Sequence, residues 1–369
     1  MTDVGKRQAG KALNYSRQGS LMQEYRRHDG GTAVRQILGT LMLALFSCAG
    51  VAAEYDLPAN GDAVVGSVSV ITAVSKDTLL DIARENGLGY REIQLANPRV
   101  DMWLPGHGMQ ILLPTKYVLP LAPHTGIVLN IPEMRLYYYP PARPGEARRV
   151  ITFPLGIGRE GWSTPYVNTR IVQKKKDPSW IPTESIREEH AEEGDPLPAV
   201  VGPGPDNPLG DYALKLALPS YLIHGTNKPY GIGLRVSHGC IRLYPEDIKA
   251  LFAQVPVGTP VHIVNQPYKV GLSNGRFYLE AHPFLQEDAD KFDHNLTSVV
   301  QMVVRLTHNR AYHIDWDLAK AVIGEARGIP VEIGRLGPAT LVAESHAGDK
   351  NASSRKKLDL RLETDLQGE

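Results

Sequence analysis

Between residues 125 and 264 the chain runs as a series of short apolar segments, IVLNI, MRLYYY, RVITFPLGI, NTRIVQ, YALKLAL, YLIHG and PVHIV, separated by glycine and proline turns. Runs of Val, Ile and Tyr this short suit a pleated surface and cannot supply the faces of long packed helices. With 35 Gly and 28 Pro in 369 residues, turn-formers are abundant enough to exclude a long helical bundle. The span reads as a mainly β domain, residues 125–265, interrupted by one helix, Pro245–Gln254, with Ile248, Leu251 and Phe252 on one side.

Two smaller units flank it. Over residues 67–115, Val68, Val70 and Ile71 suggest a strand. Asp77 offers an N-cap to a helix with Leu79, Ile82 and Ala83 on its apolar face. Gly87 and Gly89 break that helix; Tyr90–Ala96 forms a second one, ended by Asn97-Pro98, and Gln110–Leu113 closes the unit as a strand. Residues 266–336 read as a small α+β unit, with strand RFYLEAH and helices over 298–306 and 318–327. From residue 337 to 369 charge and small residues replace apolar periodicity, which predicts a disordered tail. Residues 174–211 are polar, acidic from Glu184 to Asp195 and rich in proline, and read either as a lid or binding loop or as a solvated linker, with Trp180 either touching substrate or simply packing.

The beginning of the chain reads as targeting. Residues 37–53 hold no charge, follow Arg26, Arg27 and Arg35, and end in Val51-Ala52-Ala53, a fit for cleavage before Glu54; residues 1–53 are taken as a signal segment, with Met22 a plausible start. The run is shorter than the roughly 20 residues of a spanning helix, and a lipidated Cys48 within Leu45-Phe46-Ser47-Cys48 is disfavoured by bulky Phe46. Export is therefore expected, with the membrane involved only through this segment. Forty basic residues balance forty acidic ones, so no electrostatic case exists for a nucleic-acid partner.

Cleavage would leave Cys240 as the one cysteine, unable to form an internal disulfide: either a buried inert thiol or a reactive one. Its neighbours favour reactivity. His224, His238 and Cys240 fall within seventeen positions of YLIHGTNKPYGIGLRVSHGCIRLYPEDI. A thiol must lose its proton to attack, an imidazole within reach can take it, and the ion pair so formed would depress the thiol pKa. Gly239 lets the backbone turn so that successive amides face an oxyanion, and Gly225, Gly231 and Gly233 let the chain fold back. Arg242, two residues past Cys240, lies on the same side of an extended chain and can pair a substrate carboxylate, although a structural ion-pair role is open to it. Zinc held by His224, His238 and Cys240 is the metal alternative; no C-x-x-C or H-x-x-x-H pair supports it.

IHG followed by SHGCIR, with NPLGDYALKL upstream, resembles the L,D-transpeptidases of the YkuD family over roughly residues 125–264. The resemblance implies a β-sandwich-like catalytic domain and attack by Cys240 on the third-residue carbonyl of a peptidoglycan stem tetrapeptide, releasing D-Ala and leaving a thioester. It implies His224 as general base, the Gly225 carbonyl orienting its ring, the Gly239 and Cys240 amides as oxyanion hole, and His238 and Ser237 shaping the loop. An amine then resolves the thioester: a diaminopimelate side chain, or a lysine of an outer-membrane lipoprotein. No metal or organic cofactor is implied, the enzyme is expected in the periplasm, and carbapenems are expected to label Cys240. The segments KDTLLDIA, IQLANP and LPGHGMQILLP resemble a LysM module, a binder of peptidoglycan glycan, with Lys76 where that family usually has Gly. The alternatives are a hydrolase using the same Cys-His site and a non-catalytic wall-binding protein.

Overall fold

The computed structural model describes residues 53–58, 61–292, 296–307 and 310–337. Met22, Cys48 and all of the proposed signal segment except Ala53 lie outside them, as does the tail beyond Gly337. In chain order the elements are β1 (Ala53–Asp56), β2 (Val64–Gly66), β3 (Ser69–Thr72), α1 (Leu79–Glu85), α2 (Tyr90–Ala96), β4 (Gln110–Leu113) and β5 (Lys116–Val118). Then come β6 (Gly126–Asn130), β7 (Arg135–Tyr139), β8 (Arg149–Pro154), β9 (Ile157–Gly158), β10 (Asn168–Lys176), α3 (Glu184–Glu192), β11 (Tyr212–Leu216) and β12 (Leu222–His224). They are followed by β13 (Arg235–Ser237), β14 (Ile241–Arg242), α4 (Pro245–Gln254) and β15 (Pro260–Val264). The last unit holds β16 (Tyr268–Ser273), β17 (Arg276–Ala281), α5 (Ala289–Phe292), α6 (Thr297–Thr307), β18 (Tyr312–Ile314), α7 (Trp316–Glu325) and β19 (Val331–Leu336).

The catalytic body is a nine-stranded mixed sheet in the order β1-β8-β7-β6-β15-β10-β11-β12-β14. Strand β10 serves both halves: Asn168 to Arg170 pair with β15, and after an irregularity at Ile171 to Gln173 the rest pairs with β11. A bulge of this kind bends a strand. The two halves therefore enclose one core, with Leu129, Leu136 and Phe153 on one side meeting Leu214, Ile223 and Ile241 on the other, and α4 adding Ile248 and Leu251. The sandwich-like character thus comes from one sheet bent at β10. Alternation in β7 sends Leu136 and Tyr138 into this core and Tyr137 and Tyr139 to the opposite face, which β2 and β5 cover through Val65 and Tyr117. That is why the YYY end of the MRLYYY segment carries aromatic side chains on both faces.

The N-terminal unit is strand, helix, helix, strand, with β3 antiparallel to β4 over a core that includes Leu79, Ile82, Ile93 and Ile111. Thr78, and not Asp77, caps α1, because its Oγ1 accepts the Asp81 N–H at 3.1 Å; the Asp77 carboxylate instead accepts the Val74 N–H at 2.8 Å. This unit is bolted to the catalytic sheet by a fully buried pair. Arg135 of β7 makes two hydrogen bonds to Glu92 of α2, at 2.7 and 2.8 Å, and its guanidinium stands 4.5 Å from the Tyr117 ring centre.

The C-terminal unit is a four-stranded antiparallel sheet, β16-β17-β19-β18, on which α6 and α7 pack through Val299, Val303, Ala319 and Ile323. Two differences from the expectations above have local causes. Asn274 and Gly275 both have positive φ, 50° and 74°, and close the β16–β17 hairpin, a turn signal that makes YKVGLS a strand. Helix α7 spans Trp316–Glu325 and not 318–327: Asp315 caps it by accepting from the Leu318 N–H, and Ala326, left-handed at φ 46°, ends it before Arg327. Arg327 is used elsewhere, donating to the Ala96 carbonyl at the end of α2 at 2.6 Å.

Candidate active site

Strands β12 and β14 are parallel neighbours, with Ile223 opposite Ile241 and His224 opposite Arg242. Parallel neighbours need a crossover of about a dozen residues or more, which is the physical reason for the spacing between His224 and Cys240. Because side chains alternate, the buried Ile223 and Ile241 fill the core while His224, Arg242 and Cys240 share the other face. All three line one cavity of about 600 Å³, together with Trp162, Trp180 and Tyr221. The crossover is held from outside as well. Tyr90 N–H donates to the Ile232 carbonyl, and Gly233, at φ +85°, lies so close to Gly89 and Tyr90 that a Cβ would fall 2.2 Å from the Tyr90 nitrogen.

His224 Nδ1 lies 2.7 Å from the Gly225 carbonyl, which can only accept, so Nδ1 carries the proton and Nε2 is the basic nitrogen. Burial, reinforced by the charge of Arg242, pulls the His224 pKa down to about 3; the Gly225 and Leu209 carbonyls oppose this without reversing it. Burial likewise pushes the Cys240 thiol up, against the Leu222 amide and Arg242. The thiol donates to the Ser220 carbonyl at 3.5 Å. Taken one at a time, both shifts favour the neutral form of the group, thiol and imidazole, since each loses hydration and the neighbouring cation disfavours a charged imidazole.

Gly239 adopts φ +99°, a conformation only glycine takes without strain, and a Cβ there would meet the Tyr221 ring at 3.1 Å. The Ser237 hydroxyl donates to the Cys240 carbonyl at 2.5 Å and the Thr164 hydroxyl to the Gly239 carbonyl at 2.9 Å. Among the described residues, the Gly239 and Cys240 N–H groups donate to no turn or loop carbonyl. They stand ready as a pair of donors beside the sulfur.

The polar segment contains helix α3, which its prolines and charges did not suggest. Glu189 of α3 hydrogen-bonds His238 Nε2 at 3.1 Å and pairs with Arg159, and the His238 ring meets Trp162 edge-on at 4.9 Å between centres. His238 thus ties the loop before the nucleophile to α3. Trp180 is half-buried in the cavity wall, its backbone paired with Val201 at 2.8 and 2.9 Å. Sequence reasoning missed Trp162, Thr164, Glu189, Ser220 and Tyr221, which come from separate loops and carry no local motif. Among the described residues, the one three-residue grouping of potential metal ligands is Glu133, Glu280 and His282, and the Lys269 ammonium already bridges both of its carboxylates.

A thiol, an imidazole with a fixed tautomer and two unused amides, all on a rigid β scaffold, define a cysteine enzyme of the acyl-transfer class. Residues 124–263 match the YkuD family, the L,D-transpeptidase catalytic domain. The chain is 40% identical over 303 residues to the probable L,D-transpeptidase ErfK/SrfK of Escherichia coli K12, covering 80% of this chain and 96% of that protein. It is 44% identical over 266 residues to the probable L,D-transpeptidase YbiS of the same strain, covering 69% and 85%. The nuclear magnetic resonance structure of the catalytic domain of the Enterococcus faecium L,D-transpeptidase aligns over 39% of this chain and all of its own, at 23% identity and TM-score 0.29. The chain belongs to the L,D-transpeptidase family and acts on peptidoglycan.

Proposed function

We propose that Cys240 is the acyl carrier in transfer from a stem tetrapeptide to an amine, with His224 moving the proton. The observation that carries this is the Nδ1 bond of His224 to the Gly225 carbonyl, which leaves Nε2 basic on the face it shares with Cys240 and Arg242. The donor's free carboxylate pairs with Arg242, whose buried Nε has no hydrogen-bond partner among the described residues. Sγ then bonds to the third-residue carbonyl carbon while its proton passes to His224. The Gly239 and Cys240 amides take the oxyanion. The C–N bond breaks, D-Ala leaves with the proton from His224, and a thioester remains. The acceptor amine attacks the thioester, loses its proton to His224, and displaces the sulfur, which takes that proton back. Mass spectrometry of tetrapeptide muropeptides incubated with the enzyme, with and without a lipoprotein C-terminal peptide carrying lysine, is expected to show an amine-linked product that Cys240→Ala abolishes. Free tripeptide as the sole product would make the enzyme a hydrolase.

The chain is exported to the periplasm by the uncharged segment that precedes Glu54, and β-lactams of the carbapenem class acylate Cys240. The N-terminal unit is a LysM-like glycan binder. Support comes from its loops after β3 and before β4, which hydrogen-bond to one another through Ala73 and Met109 and expose Trp103 (61%) and Leu104 (79%) beside them. An aromatic and aliphatic surface of this kind suits the apolar faces of a sugar chain. Trp103→Ala is expected to lower the fraction of enzyme sedimenting with purified sacculi at least threefold, while Cys240→Ala leaves it unchanged; equal sedimentation by all three proteins would remove the glycan role.

A further inference from the structure

We propose that Thr164 is a positioning residue for the oxyanion-binding amide of Cys240, and that the acidic turn at Glu287 and Asp288, in the C-terminal unit, holds the loop carrying it in register. The inference rests on the acyl-transfer reading above and adds to it a contribution from outside the matched catalytic span, residues 124–263.

A peptide bond is planar and trans, so its C=O and N–H point in opposite directions. The Thr164 hydroxyl, in a residue 3% exposed, donates to the Gly239 carbonyl at 2.9 Å. Fixing that carbonyl fixes the N–H of the same peptide, which is the Cys240 amide, and aims it away from Thr164. Among the described residues the peptide before Cys240 has no other anchor of this kind, and Gly239, at φ +99°, belongs to no strand. Ser237 performs the matching task on the next peptide through the Cys240 carbonyl.

Thr164 sits in the loop between β9 and β10, pressed against the nucleophile turn. Gly158, where this loop starts, has the Trp162 carbonyl 1.8 Å and the Gly239 Cα 3.0 Å from where a Cβ would stand. The other side of the loop is clamped by the C-terminal unit. Glu287 accepts from the Ser163 hydroxyl at 2.7 Å and from Arg235 of β13 at 2.7 and 3.0 Å, and Asp288 accepts from the Tyr166 hydroxyl at 2.5 Å. Ser163, just before Thr164, and Tyr166, two residues after it, are thus both held by one short turn, Gln286–Asp288. The same turn grips β13, the strand that leads into Ser237 and the nucleophile. An acidic pair some 47 residues beyond Cys240 therefore sets the register of the peptide that receives the developing charge.

The test uses two reactions of Cys240 in the full exported chain. Acylation by a p-nitrophenyl ester passes through an oxyanion without needing stem-peptide recognition; alkylation by iodoacetamide needs the thiolate and no oxyanion hole. Thr164→Val is expected to slow acylation about 10- to 100-fold, less than the loss of a whole oxyanion donor, with the ester's KM within about threefold and alkylation within about twofold of the parent. Thr164→Ser, which keeps the hydroxyl, is expected to restore acylation to within about threefold. Glu287→Gln with Tyr166→Phe is expected to slow acylation several-fold, again without touching alkylation, and to add little in the Thr164→Val background because both act through one peptide. Unchanged acylation in Thr164→Val, equal losses in acylation and alkylation, or no recovery in Thr164→Ser would each overturn the role of Thr164. Parent-level acylation in the Glu287→Gln, Tyr166→Phe protein would overturn the brace, and the same protein decides the proposal should Thr164→Val fail to fold. An enzyme that reacts with the ester but releases no D-Ala from tetrapeptide would contradict the functional reading and leave these ratios readable.

Discussion

Replacing His224 by Gln is expected to lower the rate of tetrapeptide acylation by about 10³- to 10⁴-fold, the range for removing a positioned proton acceptor from a nucleophile. The effect is this large because the thiol cannot ionise by itself. Burial holds it above its ordinary pKa, and the S–H is turned to the Ser220 carbonyl. The base is also poised in an unusual way. With its pKa near 3, His224 is neutral throughout the range in which an ordinary histidine titrates. The kcat/KM of the parent enzyme is accordingly expected to stay flat from pH 7 down to about pH 5; an acid limb with a midpoint near the free-histidine value of about 6.5 would show the imidazole to be hydrated and charged in the free enzyme.

The same shift makes a stability statement. The folded pKa of His224 lies below its unfolded value, so as pH falls the unfolded chain takes up the proton first. Its contribution is complete above about pH 6.5 and drains away on the way down to pH 3. At about 1.4 kcal/mol per pH unit, this one residue removes about 2 kcal/mol by pH 5. In His224→Gln that slope is absent, and urea midpoints measured from pH 7 to pH 5 are expected to fall less steeply than in the parent.

What could be read from the amino acids alone follows the range of the forces involved. Helix Tyr90–Ala96 and strand Gln110–Leu113 are set by neighbours in the chain, glycine before and Asn-Pro after the one, alternation in the other, and they appear where those signals put them. The clustering of His224 and Cys240 was legible for the same reason, because a short crossover between parallel strands leaves its mark as spacing. The charge state of that pair was not. Ionisation depends on how completely two side chains lose water, and burial comes from the whole enclosing sheet and the loops from residue 162 to 222. Nor could Thr164 or Glu287 be found, since a hydroxyl meeting a carbonyl 75 positions away has no local pattern. The hairpin at Asn274-Gly275 is a different case: its signal was present in the residues, and only its strand neighbour YKVGLS went unread.

Lys269→Met is expected to be the most damaging single change to stability, about 3 to 5 kcal/mol at pH 7, because it strips the cation from a site that retains its carboxylates. Lys269 of β16 is 1% exposed and places its ammonium 2.8 Å from Glu133 and 2.9 Å from Glu280, both fully buried; Glu280 also meets His282 at 2.6 Å and accepts the Val118 N–H at 2.5 Å. Tyr137 lies in β7 and Glu133 in the turn that leads into it, while Lys269, Glu280 and His282 belong to the C-terminal unit, so the network is also the joint between the catalytic domain and that unit. Burial by itself would raise the Glu133 pKa, but Lys269 and His282 outweigh it and hold the carboxyl at about 2. Its folded value being depressed, Glu133 contributes stability that is complete above the ordinary carboxylate range near 4.5 and is lost as pH falls through 2. Without Lys269 the largest opposing charge is gone and burial dominates: the carboxylate's preference shifts toward its proton, and the variant's deficit is expected to shrink between pH 7 and pH 4.5. The charge explanation is separable from packing by neutralising the site entirely. A triple variant, Lys269→Met with Glu133→Gln and Glu280→Gln, is expected to regain more than half of the lost stability, since desolvated charge and not missing volume is what the single variant suffers. Equal urea midpoints for the single and triple variants would assign the loss to packing around β16 instead.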